Sequence, residues 1–221
     1  LSQRGGRALS LLDLVDATTV DLPVAALLAG AVASGASFLT AARPGNAGKT
    51  TVMAALLAFL PPGRRIHTVS DAGALAGVPA DTCLVAAEIG SGRIPGYLWG
   101  DEARCFLEAG TAPGVSAASN LHADTLEEVR SVLCGPAVGL DSTAFAGIDL
   151  LAFLRLERTE AECRRRVCAV YASTGAPGPE SHERVAWWDE ATDCFIVEAV
   201  PARWADAAQR MAVFLAEARR Q

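Results

Sequence analysis

The sequence predicts an α/β fold: a mostly parallel sheet with flanking helices, followed by antiparallel strands and a C-terminal helix. Two observations predict it. Between Ser37 and Leu133, short apolar runs of strand character alternate with segments of helical spacing, the pattern of strands joined by crossover helices. After about Asp149 the helical segments give way to four successive strand-like runs, and a last helical stretch closes the chain.

Composition supports a folded chain. It has 221 residues, 51% of them apolar and 20% charged, which suits a globular domain and not a disordered one. The net charge of −6 argues against a nucleic-acid partner or an anionic membrane, while leaving room for a local basic site. The six cysteines form no C-x-x-C pair and have no histidine cluster beside them, so they read as free thiols of a reducing cytoplasm and not as zinc ligands.

Taken in order, Ala8 to Asp16 has apolar residues at helical spacing. Asp21 is placed to cap a second helix, with Pro23 in its first turn. From Leu22 to Ala42 there is no charge, a length that could cross a bilayer. The stretch is mostly Ala, Gly and Ser, however, and is interrupted by Pro23, Gly30 and Gly35. A buried helix followed by a buried strand, Ser37 to Ala42, accounts for it better, and no signal peptide is recognisable. The chain starts at Leu1 and not at Met, as a fragment of something longer would. A helix from Thr50 to Leu60 is stopped by Pro61-Pro62-Gly63. Strands are expected at Arg65–Val69, Thr82–Ala87 and Val115–Asn120, and helices at Asp101–Ala109 and Thr125–Leu133. The later runs "LLAFLRLE", "RRVCAVYAS", "ERVAWWD" and "CFIVEAV" read as strands, with Asp189 to Asp193 as a hairpin turn. The closing helix, Ala202 to Arg219, puts Trp204, Ala207, Met211, Phe214 and Ala218 on one face, which predicts packing on the sheet. Its polar face carries both signs of charge, which disfavours a membrane-surface role. Three segments follow: a helical linker over 1–36, a core over 37–157, and the antiparallel strands with the last helix over 158–221.

One short motif carries the chemistry. Lys49 is the only lysine, and the other 18 basic side chains are arginine. It lies in Arg43-Pro44-Gly45-Asn46-Ala47-Gly48-Lys49-Thr50-Thr51, after a strand and at the start of a helix, the context of a phosphate-binding loop. Such a turn aims successive backbone N–H groups at one point, and the helix N-terminus adds its positive end. Lys49 would reach the β- and γ-phosphates as a point charge, where the planar fork of an arginine would not fit. The Thr50 hydroxyl would go to Mg²⁺, and Thr51 and its neighbours to the α-phosphate. Two positions depart from G-x-x-x-x-G-K-[ST]: Arg43 stands at the first glycine, and Asn46 where such loops often have glycine. Asparagine tolerates the left-handed region, so Asn46 is the milder departure. The plainer reading of G-K-T-T is a helix start and nothing more.

The order of segments resembles the secretion and type IV pilus traffic ATPases, motors of type II and type IV secretion. The run from Ser10 through the lysine motif to Asp71 is similar to that family's linker, P-loop and Asp box. "CLVAAEIGSG" resembles its Walker B segment, and "GDEARCFLEAGTAPGVSAASNLHADTLEEV" its following helix and His box. "GIDLLAFLRLERTEAECRRRVCAVYAS" looks like the strands that close the motor domain. The resemblance covers roughly Ser10 to Ser173. It implies a RecA-like P-loop core that hydrolyses ATP with Mg²⁺ between subunits of a hexameric ring, in the cytoplasm or at the inner face of the membrane. It further implies partners among secretion or pilus membrane-complex proteins. It maps Lys49 and Thr50 to phosphate and metal, Asp71 to the Asp box, Glu88 to Walker B, and His122 to the His box. The family's glutamate before the Asp-box aspartate is Ser70 here, and its first His-box histidine is Gly114. The N-terminal domain that supplies arginines to the nucleotide is absent from these residues or lies upstream.

The residues themselves allow more than one reading. Glu88 ends a predicted buried strand, where its carboxylate would face the ligand crevice and hold Mg²⁺-bound water or polarise the attacking one. Otherwise it is a solvated strand end. Asp71 should lie beside Glu88, or serve as the cap of "AGALAG". His122 would donate to the γ-phosphate, or be a polar residue before a helix capped by Asp124. His67 and His182 are expected to be structural. Arg164-Arg165-Arg166 reads as a solvated turn or strand edge, with a contact to nucleotide or a neighbouring subunit as the weaker option. Trp187 and Trp188 should point to opposite sides of a strand. Three functions follow: an ATP-hydrolysing motor domain; a degenerate P-loop protein that binds nucleotide with little hydrolysis; and a small-molecule kinase whose only lid-like stretch is "SGRIPGYLWGDEAR".

Overall fold

Ser10 and Asp13 open the first helix, α1 (Leu11–Asp16), through a reciprocal cap. Asp13 N donates to Ser10 Oγ at 3.1 Å, and Ser10 N donates to the Asp13 carboxylate at 2.7 Å. Asp21 caps α2 (Leu22–Ala33) by accepting from Val24 N at 2.9 Å, with Pro23 in the first turn as predicted. The computed structural model describes residues 8–92, 94–158 and 163–220. The outer ends of the three predicted segments (1–7 and 221), residues 159–162, and Arg93 of the lid-like stretch lie outside the described residues.

α2 is apolar on every side because it is enclosed on every side: Val24 through Val32 are buried. This accounts for the uncharged stretch, and no helix among the described residues is long and apolar enough to cross a membrane. β1 (Phe38–Ala41) then enters the centre of a mixed sheet. α3 (Lys49–Leu57) returns over β1 and leads to β2 (Arg65–Thr68). β3 (Thr82–Val85) continues into the two-residue β4 (Glu88–Ile89), which pairs with β5 (Tyr97–Leu98). α4 (Asp101–Ala109), β6 (Val115–Leu121), α5 (Leu126–Leu133) and α6 (Ser142–Ala146) follow. The chain ends with β7 (Leu150–Arg158), β8 (Cys163–Ser173), β9 (His182–Asp189), β10 (Cys194–Val197) and α7 (Ala205–Ala218).

The strand order is β10-β9-β8-β7-β1-β6-β3-β2, with β4 and β5 beyond the end of β3 beside β6. β7, β1, β6, β3 and β2 are parallel, while β7 to β10 are joined antiparallel. This is the α/β architecture expected, and the sheet runs unbroken across residue 157, where the core and terminal segments were expected to meet. β1 alternates its faces: Phe38 joins the core under α1, α2 and α3, and Leu39 and Ala41 join the core under α4 and α5. The hairpin turn at Asp189–Asp193 also forms, with Asp193 left-handed at φ 49°.

Two expectations for the C-terminus need correction. α7 packs chiefly on α2, and Phe214 is 53% exposed while Ala207, Ala208 and Leu215 are buried. Close approach of the two helix backbones decides this: a Cβ added at Gly30 would lie 2.5 Å from Ala208 N. Small residues at that crossing outweigh the bulkier stripe, and Phe214 instead meets Phe59 edge-on, with ring centroids 6.4 Å apart. A Gly30→Ala substitution forces these backbones apart. It should lower the stability of the chain by about 1–3 kcal/mol in urea unfolding, without altering the slope of the transition.

Candidate functional site

The central strand sets the site. β1 has β7 on one side and β6 on the other; the crossover from β1 runs towards β2 while that from β6 passes back to β7, and the crevice lies at the carboxyl end of β1. Arg43 to Gly48 crosses that end. Asn46 adopts φ 67° and Gly48 φ 100°, two left-handed residues that curl the loop over the start of α3. Asn46 thus takes the conformation that its tolerance of this region foretold. Gly48 is the N-cap of α3 and offers no side-chain cap, so the first N–H groups of the helix are left for a ligand.

Lys49 is the first residue of α3 and turns back under the loop. Its Nζ donates to Ala42 O at 2.9 Å, and lies 3.3 Å from His122 Nδ1 and 3.6 Å from Glu88 Oε1. Burial pushes its pKa down, and the neighbouring Glu88 opposes the shift. Glu88 sits on β4, where Tyr97 is its partner across the ladder to β5. Tyr97 donates its hydroxyl to Glu88 Oε2 at 2.9 Å, and His122 Nε2 approaches Oε1 at 2.5 Å. Burial, then the adjacent Glu88, raise the Tyr97 pKa and keep the phenol protonated as a donor. His122 Nδ1 also lies 3.0 Å from Arg43 O. Among the described residues, Glu88 Oε1 is buried and accepts no hydrogen bond, because His122 Nε2 lies close without the alignment to donate, while His122 Nδ1 has both Lys49 Nζ and Arg43 O within reach.

Beneath this cluster, Asn120 ties the sheet to α3. Its Oδ1 accepts from Thr40 Oγ1 at 2.5 Å, and its Nδ2 donates to Ala87 O at 2.7 Å and Thr50 Oγ1 at 3.3 Å. Thr50 is exposed, with its hydroxyl at the mouth of the cleft. The hydroxyl of Thr50 and the carboxylate of Glu88 are hard oxygen donors, the chemistry Mg²⁺ requires. The cleft has a volume of about 1420 Å³ and extends from the loop to the α1–α2 connection and the near ends of β8 and β10.

The structure therefore brings Lys49, Thr50, Glu88 and His122 together with the loop from Gly45 to Thr51. Arg43 takes a different course. Its backbone N donates to Asp124 Oδ1 at 2.7 Å, and its guanidinium grips Glu128 at 2.6 and 3.2 Å, outside the cleft lining. The helix cap there is Thr125, which accepts from Glu128 N, and not Asp124. Asp71 is also outside the cleft lining. It caps a 3-10 turn, Ala72–Leu75, through Ala74 N at 3.2 Å, and accepts from Ser70 Oγ at 3.0 Å. Gly114 adopts φ +76° in the turn before β6, against Ala80. His67 and His182 bond to the carbonyls of Ala74 and Ile148. Trp188 is buried while Trp187 lies against Arg184.

The arginine run is not a turn. It lies within β8: Arg166 is 4% exposed beside Trp188 and Asp193, and Arg165 reaches the loop, its Nε donating to Asn46 O at 2.9 Å. Tyr97 and Asn120 are contributions to the site that sequence reasoning missed, and for Arg165 it offered a contact to nucleotide only as the weaker option of the whole run. A partial signal existed for Arg165, since strand alternation separates it from its two neighbours.

No protein-family model and no curated protein matches the chain. Among solved structures it is similar to the VirB11 ATPase of the Brucella suis type IV secretion system, in complex with sulphate. The identity is 18% over 76% of this chain and 57% of that one, with a TM-score of 0.49. It is also similar to the ATPase DotB of Legionella pneumophila, at 10% identity over 95% of this chain and 58% of that one, with a TM-score of 0.40. Both are described as ATPases, and the first as part of a type IV secretion system. The chain spans less than two thirds of the length of either. At these identities and scores neither likeness bears on the chemistry of the site, which stands on its own geometry.

Two outcomes are expected. Asn120→Ala takes the amide partner from the buried Thr40 hydroxyl and from the Ala87 carbonyl, and should cost about 1–3 kcal/mol in thermal unfolding. Burial lowers the pKa of His182 from 6.5 to about 4, so the unfolded chain binds a proton that the folded chain refuses. Its contribution to stability is full above pH 6.5 and declines as the pH falls towards about 4. His182→Gln should flatten the stability–pH slope in that window by up to about 1.4 kcal/mol per pH unit.

Proposed function

We propose that this chain is an ATP-binding and ATP-hydrolysing domain of the secretion and pilus motor class. The observation that carries the reading is the convergence at the end of β1. An uncapped helix start, two left-handed loop residues and a buried ammonium meet beside a carboxylate and an imidazole. A polyphosphate tail entering the loop would meet the free N–H groups of α3, and Lys49 would exchange Ala42 O for phosphate oxygens. Glu88, held by Tyr97 from one side, would orient the attacking water through Oε1. His122, between Glu88 and the loop, would sense the terminal phosphate. Mg²⁺, held by Thr50 and through Glu88, would neutralise charge on the phosphates. By the resemblance of its motifs, the domain acts in a hexameric ring. It would work in the cytoplasm or at the inner membrane face, with membrane-complex proteins of secretion or pilus assembly as partners.

A second reading has its own observation. Asp71 is committed to a cap, Ser70 replaces the family's glutamate, and the carboxylate of Glu88 already has three neighbours. Nucleotide binding with slow hydrolysis fits that arrangement.

Phosphate release and calorimetry decide between them. Lys49→Ala should abolish both ATP binding and turnover. Glu88→Gln should keep binding and reduce turnover by about 100-fold or more, the scale of losing a positioned base. If the variants turn ATP over like the wild type, the motor reading is wrong. Tight binding with no phosphate release from the wild type, at high protein concentration, selects the second reading.

A further inference from the structure

We infer that Arg165 supplies a second cation for the polyphosphate from within the same chain. This rests on the nucleotide reading and adds to it a residue from the opposite edge of the cleft, on a strand that the loop motif does not include.

Four observations converge. Arg165 lies on β8 and lines the same cleft as Gly45 to Thr51. Its Nε donates to Asn46 O at 2.9 Å, and its Cδ lies 3.3 Å from where a Cβ on Gly48 would be, so the guanidinium is held against the loop's two left-handed residues. Among the described residues no carboxylate pairs with it, whereas Arg164 and Arg166 both lie within 4 Å of Asp193, at 3.9 and 3.6 Å. Alternation along β8 separates the middle arginine from its neighbours in this way. Lastly, the positive charge of Lys49 faces the negative charge of Glu88 at 3.6 Å. The loop's own lysine is therefore partly compensated, and Arg165 is the cation that is not.

The anchored Nε also orients the loop. A trans peptide points its carbonyl and the following N–H in opposite directions. Holding the Asn46 carbonyl towards Arg165 turns the Ala47 N–H the other way. The terminal nitrogens of the fork remain to grip phosphate oxygens. The ligand class follows from this: a nucleotide with at least two phosphates, bound more tightly as the tail grows.

Calorimetry of the intact chain with ATP, ADP and AMP in the presence of Mg²⁺ tests the inference. Arg165→Ala should weaken ATP roughly 10-fold or more, ADP less, and AMP hardly at all, as loss of a charge-assisted contact to the tail requires. Arg165→Lys should recover part of the ATP affinity, and the unfolding midpoint without nucleotide should fall by no more than loss of the single hydrogen bond to Asn46 O requires. Arg165→Gln, which keeps the stem, replaces the alanine variant if that one fails to fold. Wild-type ATP affinity in these variants, or an equal loss for AMP and ATP, overturns the inference and leaves the nucleotide reading standing. Failure of the wild-type chain to bind ATP overturns both.

Discussion

A buried ammonium cannot be left without compensation, and the organisation of this cleft follows from that constraint. The side chain of Lys49 is 8% exposed, and that of Glu88 10%. Removing either charge would leave the other stranded in a medium that solvates it poorly. The pair holds only because β1, β4 and β6 end side by side, so that Ala42 O, Glu88 and His122 reach the same point. The loop is bound by the same requirement: Asn46 and Gly48 must be left-handed to bring α3 back over its own strand. Sheet order, loop shape and the electrostatics of the site are thus aspects of one arrangement.

The arrangement is reinforced from two sides. Below, Asn120 links Thr40 of the sheet to Thr50 of the helix, so a shift of β6 is felt at the hydroxyl facing the cleft. Beside it, Arg43 clamps Glu128 of α5, and its carbonyl lies 3.0 Å from His122 Nδ1. A residue that breaks the loop pattern at its first position therefore has a structural role. It fastens the loop's entry to the helix that follows His122, where a glycine would keep the backbone contact to Asp124 but lose the grip on Glu128.

Much of the fold was legible because local signals and global topology agree. Asp101–Ala109 is helical as expected, and the strand from Val115 differs from expectation only by Leu121. The lone lysine and the Asn46 conformation were likewise readable, since both depend on near neighbours in sequence. What could not be read depends on distant partners. Arg165 meets Asn46 across 119 positions, and although alternation in "RRRV" sets the middle arginine apart, which face meets the loop is fixed only when β8 is paired with β7. Tyr97 becomes a partner of Glu88 only through the ladder of β4 and β5, which is too short to carry a periodic signal. The face of α7 was misjudged for a related reason: side-chain bulk suggested Phe214, but the fit is decided by a glycine on another helix.

The enclosure of α2 reaches beyond packing. A helix with apolar residues all round has no side that tolerates water, and α7 forms one of its walls. The last fourteen-residue helix is therefore a lid over a greasy rod. A chain cut before Ala205 would keep every residue of the phosphate loop, yet expose a surface that invites self-association. The integrity of the chemical end of the molecule is thus coupled to its final residues through a helix that touches no ligand.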